Sequence, residues 1–451
     1  MTHPHQSVDE ILPARKMITL GLQHMLVAYV GAIAVPLIVA SALKMSHQDT
    51  ITLISTALFC SGIATLVQTI GVWKFGVKLP ILNGVAFSSV GPVIAIGTNP
   101  QIGFVGVCGA VIAAGLVTIV LAPYVGKLRR FFPPVVTGCI VLIIGLTLFP
   151  VAYQWLGGGR GNAQFGSPVY LAVAFFVTAV ILGINRYAKG LVRNLSVLIG
   201  LLCGALAGGV LGMADYGSVA KAPWVAVPMP FHFGIPVFRV IPILTMIVVM
   251  LVQMVESTGL FIVIGEIANK EIHEQDVING LRGNGLASAI AGMFAAFPFI
   301  AFMENVGTVI LTGVRSRFVV AVSGVLLCLV ALMPKIGAVF AATAPAALGG
   351  TGMALFGVVV AAGIKTLSRV DYTNENNVYV VGFTLVLAAI PIFMPTVFGR
   401  MPTWTAPFLQ SGVIIASVAA VALNLFFNGL RESAPDTHAL RAELADASCD
   451  A

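Results

Sequence analysis

Charge is the scarcest property of this 451-residue chain, with Asp, Glu, Lys and Arg making up 9% of it. A soluble protein of this length would lack the charge to cover its surface, so a soluble enzyme and a disordered chain are both excluded. Metal and redox signatures are missing too. The six cysteines (Cys60, Cys108, Cys139, Cys203, Cys328 and Cys449) show no CxxC spacing, and five of them sit in apolar segments. Neither a disulfide nor a metal or cofactor site is read from them. His273-Glu274 lacks the second histidine of a zinc-binding HExxH helix and lies in a loop, which argues against an intramembrane enzyme. Basic runs are absent as well. The 24 Lys and Arg residues stand singly or in pairs between apolar stretches, so the net charge of +7 reports topology rather than a nucleic-acid partner. Residues 1–16 end in Arg15 and Lys16 before a long apolar stretch with no small-residue cleavage site, which fits a retained first span. What is abundant is apolar: 58% hydrophobic residues and a mean hydropathy of +1.01. The 48 glycines and 24 prolines are spread through the apolar segments, which suits close helix packing and broken membrane helices. The chain reads as an all-α integral membrane protein.

A bilayer core of about 30 Å takes about 20 apolar residues per helix. On that measure fourteen spans are predicted, at 17–42, 50–73, 80–97, 102–123, 134–157, 167–186, 194–214, 240–266, 280–299, 304–313, 318–334, 350–366, 378–395 and 407–428. The tenth is too short to cross as a helix and follows Phe297-Pro298-Phe299, so a half-helix or extended segment is expected there. Basic residues test the count, because short cytoplasmic loops carry the Lys/Arg excess. With fourteen spans, the side holding both termini takes all of the 24 except Lys44, Arg160, Lys221, Arg239, Lys335 and Arg400. Both termini are therefore expected in the cytoplasm and the protein in the cell inner (cytoplasmic) membrane, with a polar tail at 429–451. Fourteen spans divide into two sevens, and an odd-numbered repeat inserts inverted relative to its partner. Two internal echoes agree: Pro134 to Gly138 with Pro345 to Gly349, and Asn83-Gly84 with Glu304-Asn305.

Among seventeen acidic residues, Glu256 and Glu304 lie well inside apolar sequence. A charge at that depth costs about 2.5–3.5 kcal/mol on insertion scales and as a rule faces a cavity and a partner. Gln253 lies one turn before Glu256 on the same helical face. Glu304 opens Glu-Asn-x-Gly-x-x-x-x-Thr, in which Asn305 supplies donors and acceptors, Gly307 permits close backbone approach, and Thr312 closes the run. Such a set suits a planar, polar heterocycle. The plainer alternatives are a carboxylate bonding a neighbouring helix and a helix start capped by Asn305.

These residues resemble the nucleobase–ascorbate transporter family, in its bacterial urate and xanthine permease branch. The family signature Gln/Glu/Pro-Asn-x-Gly-x-x-x-x-Thr is matched from Glu304 to Thr312. The likeness extends in order through Gln23-His24, Asn83 to Phe87, Val255-Glu256-Ser257 and Ala344 to Gly350. The resemblance implies a proton-coupled symporter, usually a homodimer, with short strands in spans 3 and 10 and substrate between them. It also implies a core domain, 17–123 and 240–334, moving against a gate domain, 134–214 and 350–428. Carried over, Glu256 and Glu304 would hold ring N–H groups, Phe87 would stack on the ring, and the Met303 backbone would add a contact. Asn305 would support the tenth span and His24 would bond within the core. Without the resemblance, His24 and Asn83 read as structural polar groups bonded across helices.

The chain departs from the family at Asn284, where many purine members have Asp; proton coupling would then rest on Glu256 or Glu304. Glu304 itself is the residue of uracil members, whereas purine members commonly have Gln. Yet Glu256-Ser257-Thr258-Gly259-Leu260 lacks the histidines of the uracil pattern, and Thr312 to Arg317 follows the urate and xanthine branch. The expected substrate is an oxidised purine, xanthine or urate, with a uracil:proton symporter as the alternative. A sulfate or carboxylate transporter of the same architecture is disfavoured by two buried acids. A passive channel would show repeated polar rings.

Overall fold

The computed structural model describes residues 8–159, 162–214, 216–302, 304–398, 400–402 and 405–429. Helices dominate it. The first half runs α1 (Ala14–Ala42), α2 (His47–Ile70), β1 (Asn83–Val85), α3 (Val90–Gly97), α4 (Gly103–Leu121), α5 (Pro134–Leu156), α6 (Pro168–Tyr187) and α7 (Ser196–Val210). The second half repeats the order with α8 (Val240–Ile267), α9 (Glu274–Met293), β2 (Phe299–Ala301), α10 (Glu304–Thr312), α11 (Arg317–Ala331), α12 (Pro334–Ala341), α13 (Pro345–Leu367), α14 (Glu375–Phe393) and α15 (Gly412–Asn428). Among the described residues, eight helices are long and apolar enough to cross a membrane. Counting the bent pair α11 and α12 as one span makes nine.

Three segments differ from the sequence expectation. The ninth helix starts at Glu274 rather than near residue 280. Its polar first turn is helical because the Asp276 carboxylate accepts from the His273 N–H at 3.2 Å, closing the N-terminus. The eleventh apolar run ends at a sharp turn that the sequence does not mark: α11 stops at Ala331, and α12, opened by Pro334, leaves it at 77°. The internal echo between Asn83 and Glu304 is out of register. The strands place Asn83 opposite Ala301 and Val85 opposite Phe299, so the repeat aligns Asn83 with Phe299, and Glu304 falls five residues later, at the start of α10.

Two groups of elements pack mainly within themselves. In the first, α2 lies against α11, α4 against α9 and α8, and α1 against α2 and α11. In the second, α5 lies against α13, α14 against α15, and α6 and α7 against α13. The α5/α13 pair shows how the sequence sets this packing. Pro134 and Pro345 each begin a helix, where a missing N–H does no harm. Gly138 then meets Leu367 at the far end of α13, and Gly349 meets Leu156 at the far end of α5. Such small residues let membrane helices come close where no hydrophobic drive separates helix from lipid. Outward, α6 and α14 expose large apolar side chains such as Phe175, Phe176, Leu182, Phe383 and Val386, a face suited to acyl chains.

The loops fasten the ends. Residues 222–239 lie across the first group, with backbone bonds from Ala226 N to Leu332 O (3.0 Å), Phe231 N to Met293 O (2.8 Å) and Val237 N to Val105 O (3.1 Å). On the face carrying the N-terminus, Arg317 donates to the carbonyls of Thr69 (2.8 Å) and Ile70 (2.7 Å), completing the C-terminus of α2, and pairs with Asp9. Beside it, the Lys270 ammonium donates to the carbonyls of Val77 and Lys78, and partial burial lowers its pKa below the ordinary lysine value.

Gly84 carries the tightest requirement at the centre. A Cβ there would overlap the Phe302 ring, which also packs on Gly31. Gly84→Ala should lower stability by about 1–3 kcal/mol, the usual range for overpacking. The expected result is a lower thermal midpoint of the detergent-solubilised protein, partly restored by adding Phe302→Leu. An unchanged midpoint would show that Phe302 does not wedge against this strand.

Candidate functional site

Helix α2 ends at Ile70, where Gly71 takes a left-handed φ of 73°, and α9 ends at Met293, so the stretches that lead through Pro80 and Pro298 into the two strands are already non-helical. The freed backbone groups are satisfied mutually. β1 and β2 pair antiparallel, and bonds from Ala86 N to Pro298 O (3.0 Å) and Phe302 N to Leu82 O (2.9 Å) extend the ladder at both ends. Side chains cover the remaining edges. Thr65 Oγ1 accepts from Asn83 N (3.0 Å), Ser61 Oγ donates to Asn83 O, and Ser288 Oγ accepts from Phe299 N (2.9 Å). Each strand then runs into a short helix, α3 after the tight turn Phe87–Ser89, and α10 starting at Glu304. The two half-helices leave the crossing in opposite directions, with their N-termini at the centre, where unpaired N–H groups and the helix dipole favour acceptor atoms of a ligand.

Around the crossing lies a buried amide network. Asn284 Oδ1 accepts from Gln68 Nε2 (2.6 Å) and from Asn83 Nδ2 (2.7 Å), while Asn284 Nδ2 donates to Ser257 Oγ (2.8 Å). Gln68 also donates to Gly280 O (2.7 Å) and accepts from Val77 N (3.0 Å). Asn284 thus ties α2, β1, α8 and α9 together through one neutral side chain. A second set fixes α10: Asn305 Oδ1 lies 2.9 Å from His24 Nδ1, Asn305 Nδ2 donates to Pro80 O (2.8 Å), and Thr312 Oγ1 donates to Thr308 O (2.7 Å), 3.4 Å from His24 Nε2. On the other side, Gln253 Nε2 donates to Ser88 Oγ (3.0 Å), anchoring α8 to the turn after β1.

The expected site residues therefore fall as follows. Asn83, Asn284, Asn305, His24, Thr312 and Gln253 belong to these networks. Glu256 is partly buried on α8, one turn beyond Gln253 and next to Ser257. Phe87 is partly buried in the turn after β1, and its ring meets Phe356 of the second group edge-on at 6.4 Å. Glu304 and Gly307 lie on α10. Met303 lies outside the described residues. Two acceptors, Asn83 Oδ1 and Gln253 Oε1, are buried without a partner among the described residues. Gln68, Ser257, Thr65, Ser61, Ser88 and Phe356 were not singled out from the sequence. Gln68 carried a usable signal, a lone amide in the apolar stretch of α2, had intramembrane amides been weighted like acids. The described residues contain no cluster of metal ligands, and their five cysteines are free.

The sequence model of the Xan_ur_permease family, described as a permease family, matches residues 15–397. Among characterised relatives, the uric acid transporter UacT of Escherichia coli is 43% identical, covering 96% of this chain and 90% of its own. The nucleobase transporter PlUacP of Paenibacillus larvae is 40% identical (94% and 97%), and the xanthine permease of Bacillus subtilis 41% (92% and 94%). Among solved structures, the transmembrane domain of the cyanobacterial bicarbonate transporter BicA aligns with TM-score 0.60 at 14% identity, covering 92% of this chain and all of that one. The murine anion transporter Slc26a9 in its inward-facing state aligns with TM-score 0.60 at 12% identity (92% and 69%). These likenesses establish the inverted-repeat transporter fold.

The amide hub yields a graded expectation. Asn284→Ala strands the donors of Gln68 and Asn83 in a dry interior, at about 1–3 kcal/mol for each unsatisfied group. It should abolish uptake while the protein still reaches the membrane. Asn284→Asp keeps the acceptor and should retain more transport than Asn284→Ala. Equal uptake by the two variants, at matched membrane abundance, would show that the acceptor is not what the hub supplies.

Proposed function

This chain belongs to the Xan_ur_permease family, and from that premise we propose that it carries an oxidised purine, xanthine or urate, across the cytoplasmic membrane in symport with protons. The observation that carries the reading is the strand crossing itself, with half-helix N-termini beside it, Phe87 in the turn after β1, and α8 tied to that turn through Gln253, one turn before Glu256. A planar heterocycle rich in N–H groups suits that set: Phe87 offers a face, and Glu256 accepts from the ring N–H. Asn83 Oδ1 and Gln253 Oε1 are further acceptors beside it. Relatives named for uric acid, xanthine and nucleobases at 40–43% identity over most of the chain support the same substrate class.

In this reading the first packing group is a core that carries substrate, the second is a gate that stays against the lipid and a partner copy, and both termini face the cytoplasm. Glu256 and Glu304 are the groups able to exchange the coupled proton, since Asn284 is neutral. Binding a ligand whose N–H groups prefer a carboxylate then depends on proton occupancy, which links accumulation to the proton gradient. A uracil symporter is the second reading, favoured by Glu304. The anion transporters that share the fold do so at 12–14% identity. An anion would meet the carboxylate of Glu256 and unpartnered amide oxygens, all of which repel it.

Radiolabelled uptake in a permease-null host tests the reading. Xanthine and urate should compete far better than uracil. Glu256→Gln should abolish uptake, and Glu304→Gln should retain binding with an altered pH profile between about pH 5.5 and 8, an interval spanning neutrality in which proton occupancy changes. Normal accumulation by Glu256→Gln across that interval would overturn the proposed mechanism. Uptake of uracil alone would overturn the substrate.

A further inference from the structure

The seam between the two packing groups has a polar fastening on the face remote from the N-terminus. Trp155 Nε1, near the end of α5, donates to Ser41 Oγ, near the end of α1, at 3.0 Å. Trp155 is 5% exposed, so its indole N–H lies on packed surface and needs an acceptor there. Below the pair lies a cavity whose walls come from both groups: Ile33 and Leu37 of α1 on one side, Trp155, Leu348, Thr351 and Phe356 on the other. Phe356, on the cavity wall, also meets Phe87 edge-on, so a single ring stands between the cavity and the aromatic residue of the candidate site. From His24, held by Asn305 at the crossing, α1 rises about 25 Å to Ser41 at 1.5 Å per residue.

The two helices that carry the pair are weakened at matching points. Pro36 interrupts α1 and Pro150 interrupts α5, each a turn and a half before its member of the pair. Proline removes the bond to the carbonyl four residues earlier and marks the place where a helix bends. Both helix ends can therefore swing without unwinding the spans below.

Resting on the transport reading above, we infer that Trp155 and Ser41 form a latch that holds the seam shut on the face remote from the termini, and that substrate reaches the crossing from that face when the latch parts. The indole N–H and the serine hydroxyl separate when α1 moves with the first group. Phe356 then no longer shields Phe87 from that side.

Thr351 provides the reporter, since it lines the cavity and is 5% exposed. Thr351→Cys in the full-length chain is treated in intact cells with a membrane-impermeant maleimide, and labelling is counted above that of the chain lacking this substitution. Labelling should be slow with the latch intact. It should become about two- to tenfold faster in Trp155→Phe and in Ser41→Ala, the range expected for losing one net hydrogen bond. Ser41→Thr keeps the hydroxyl and should stay slow, which separates the bond from mere bulk. Equal rates in all four backgrounds, or labelling confined to inside-out vesicles, would overturn the latch. Xanthine and urate uptake are followed in parallel without Thr351→Cys. Absence of both in the unsubstituted chain defeats the transport reading, while the labelling rates still decide the latch.

Discussion

A backbone that leaves its helix inside the bilayer has no water to bond, so every freed N–H and C=O must find a partner in the protein. That constraint governs this structure. Two segments leave their helices after Ile70 and Met293, pass through Pro80 and Pro298, and satisfy their backbone in a three-residue antiparallel pair together with Thr65, Ser61 and Ser288. The half-helices, the amide hub at Asn284 and the close fit of Phe302 on Gly84 follow from holding that pair in place. A site built from backbone in this way is rigid, because any shift of one strand unbonds the other.

Much of the fold is visible in the sequence because apolar length is a strong signal, and the long spans α1, α2, α5 and α8 lie close to where the hydropathy puts them. Hydropathy carries no direction, however, so the 77° turn from α11 into α12, at the end of the eleventh apolar run, does not show in it. The polar first turn of α9 is likewise hidden, since it is stabilised by its own cap rather than by burial. Strand pairing comes only through the family likeness, as three residues are too few for periodicity to show; the residues themselves point no further than a half-helix or extended segment at the tenth span. At the site, the acids and the signature Asn305 stood out by their cost in a membrane. Gln68 and Ser257 did not, because an amide or hydroxyl in an apolar run is common, and only the three-dimensional network shows which of them converge.

Fold and chemistry separate cleanly in this family of shapes. Bicarbonate and other anion transporters share the architecture with this chain at 12–14% identity. A shared fold does not by itself carry a shared chemistry. This chain brings its own residues to that fold, among them the partly buried Phe87 and Glu256 and the buried acceptors Asn83 Oδ1 and Gln253 Oε1.

The strand pair also sets an order in time. β1 is finished when residue 85 leaves the ribosome, but its partner starts at Phe299, so the first half must enter the membrane with its strand unmatched. Only the neighbours Ser61 and Thr65, both earlier in the chain, are already present to hold Asn83. The first seven segments are thus an unfinished object rather than an independent domain, and a chain halted anywhere between the strands exposes an unpaired edge to lipid, a species that membrane quality control would meet as damaged.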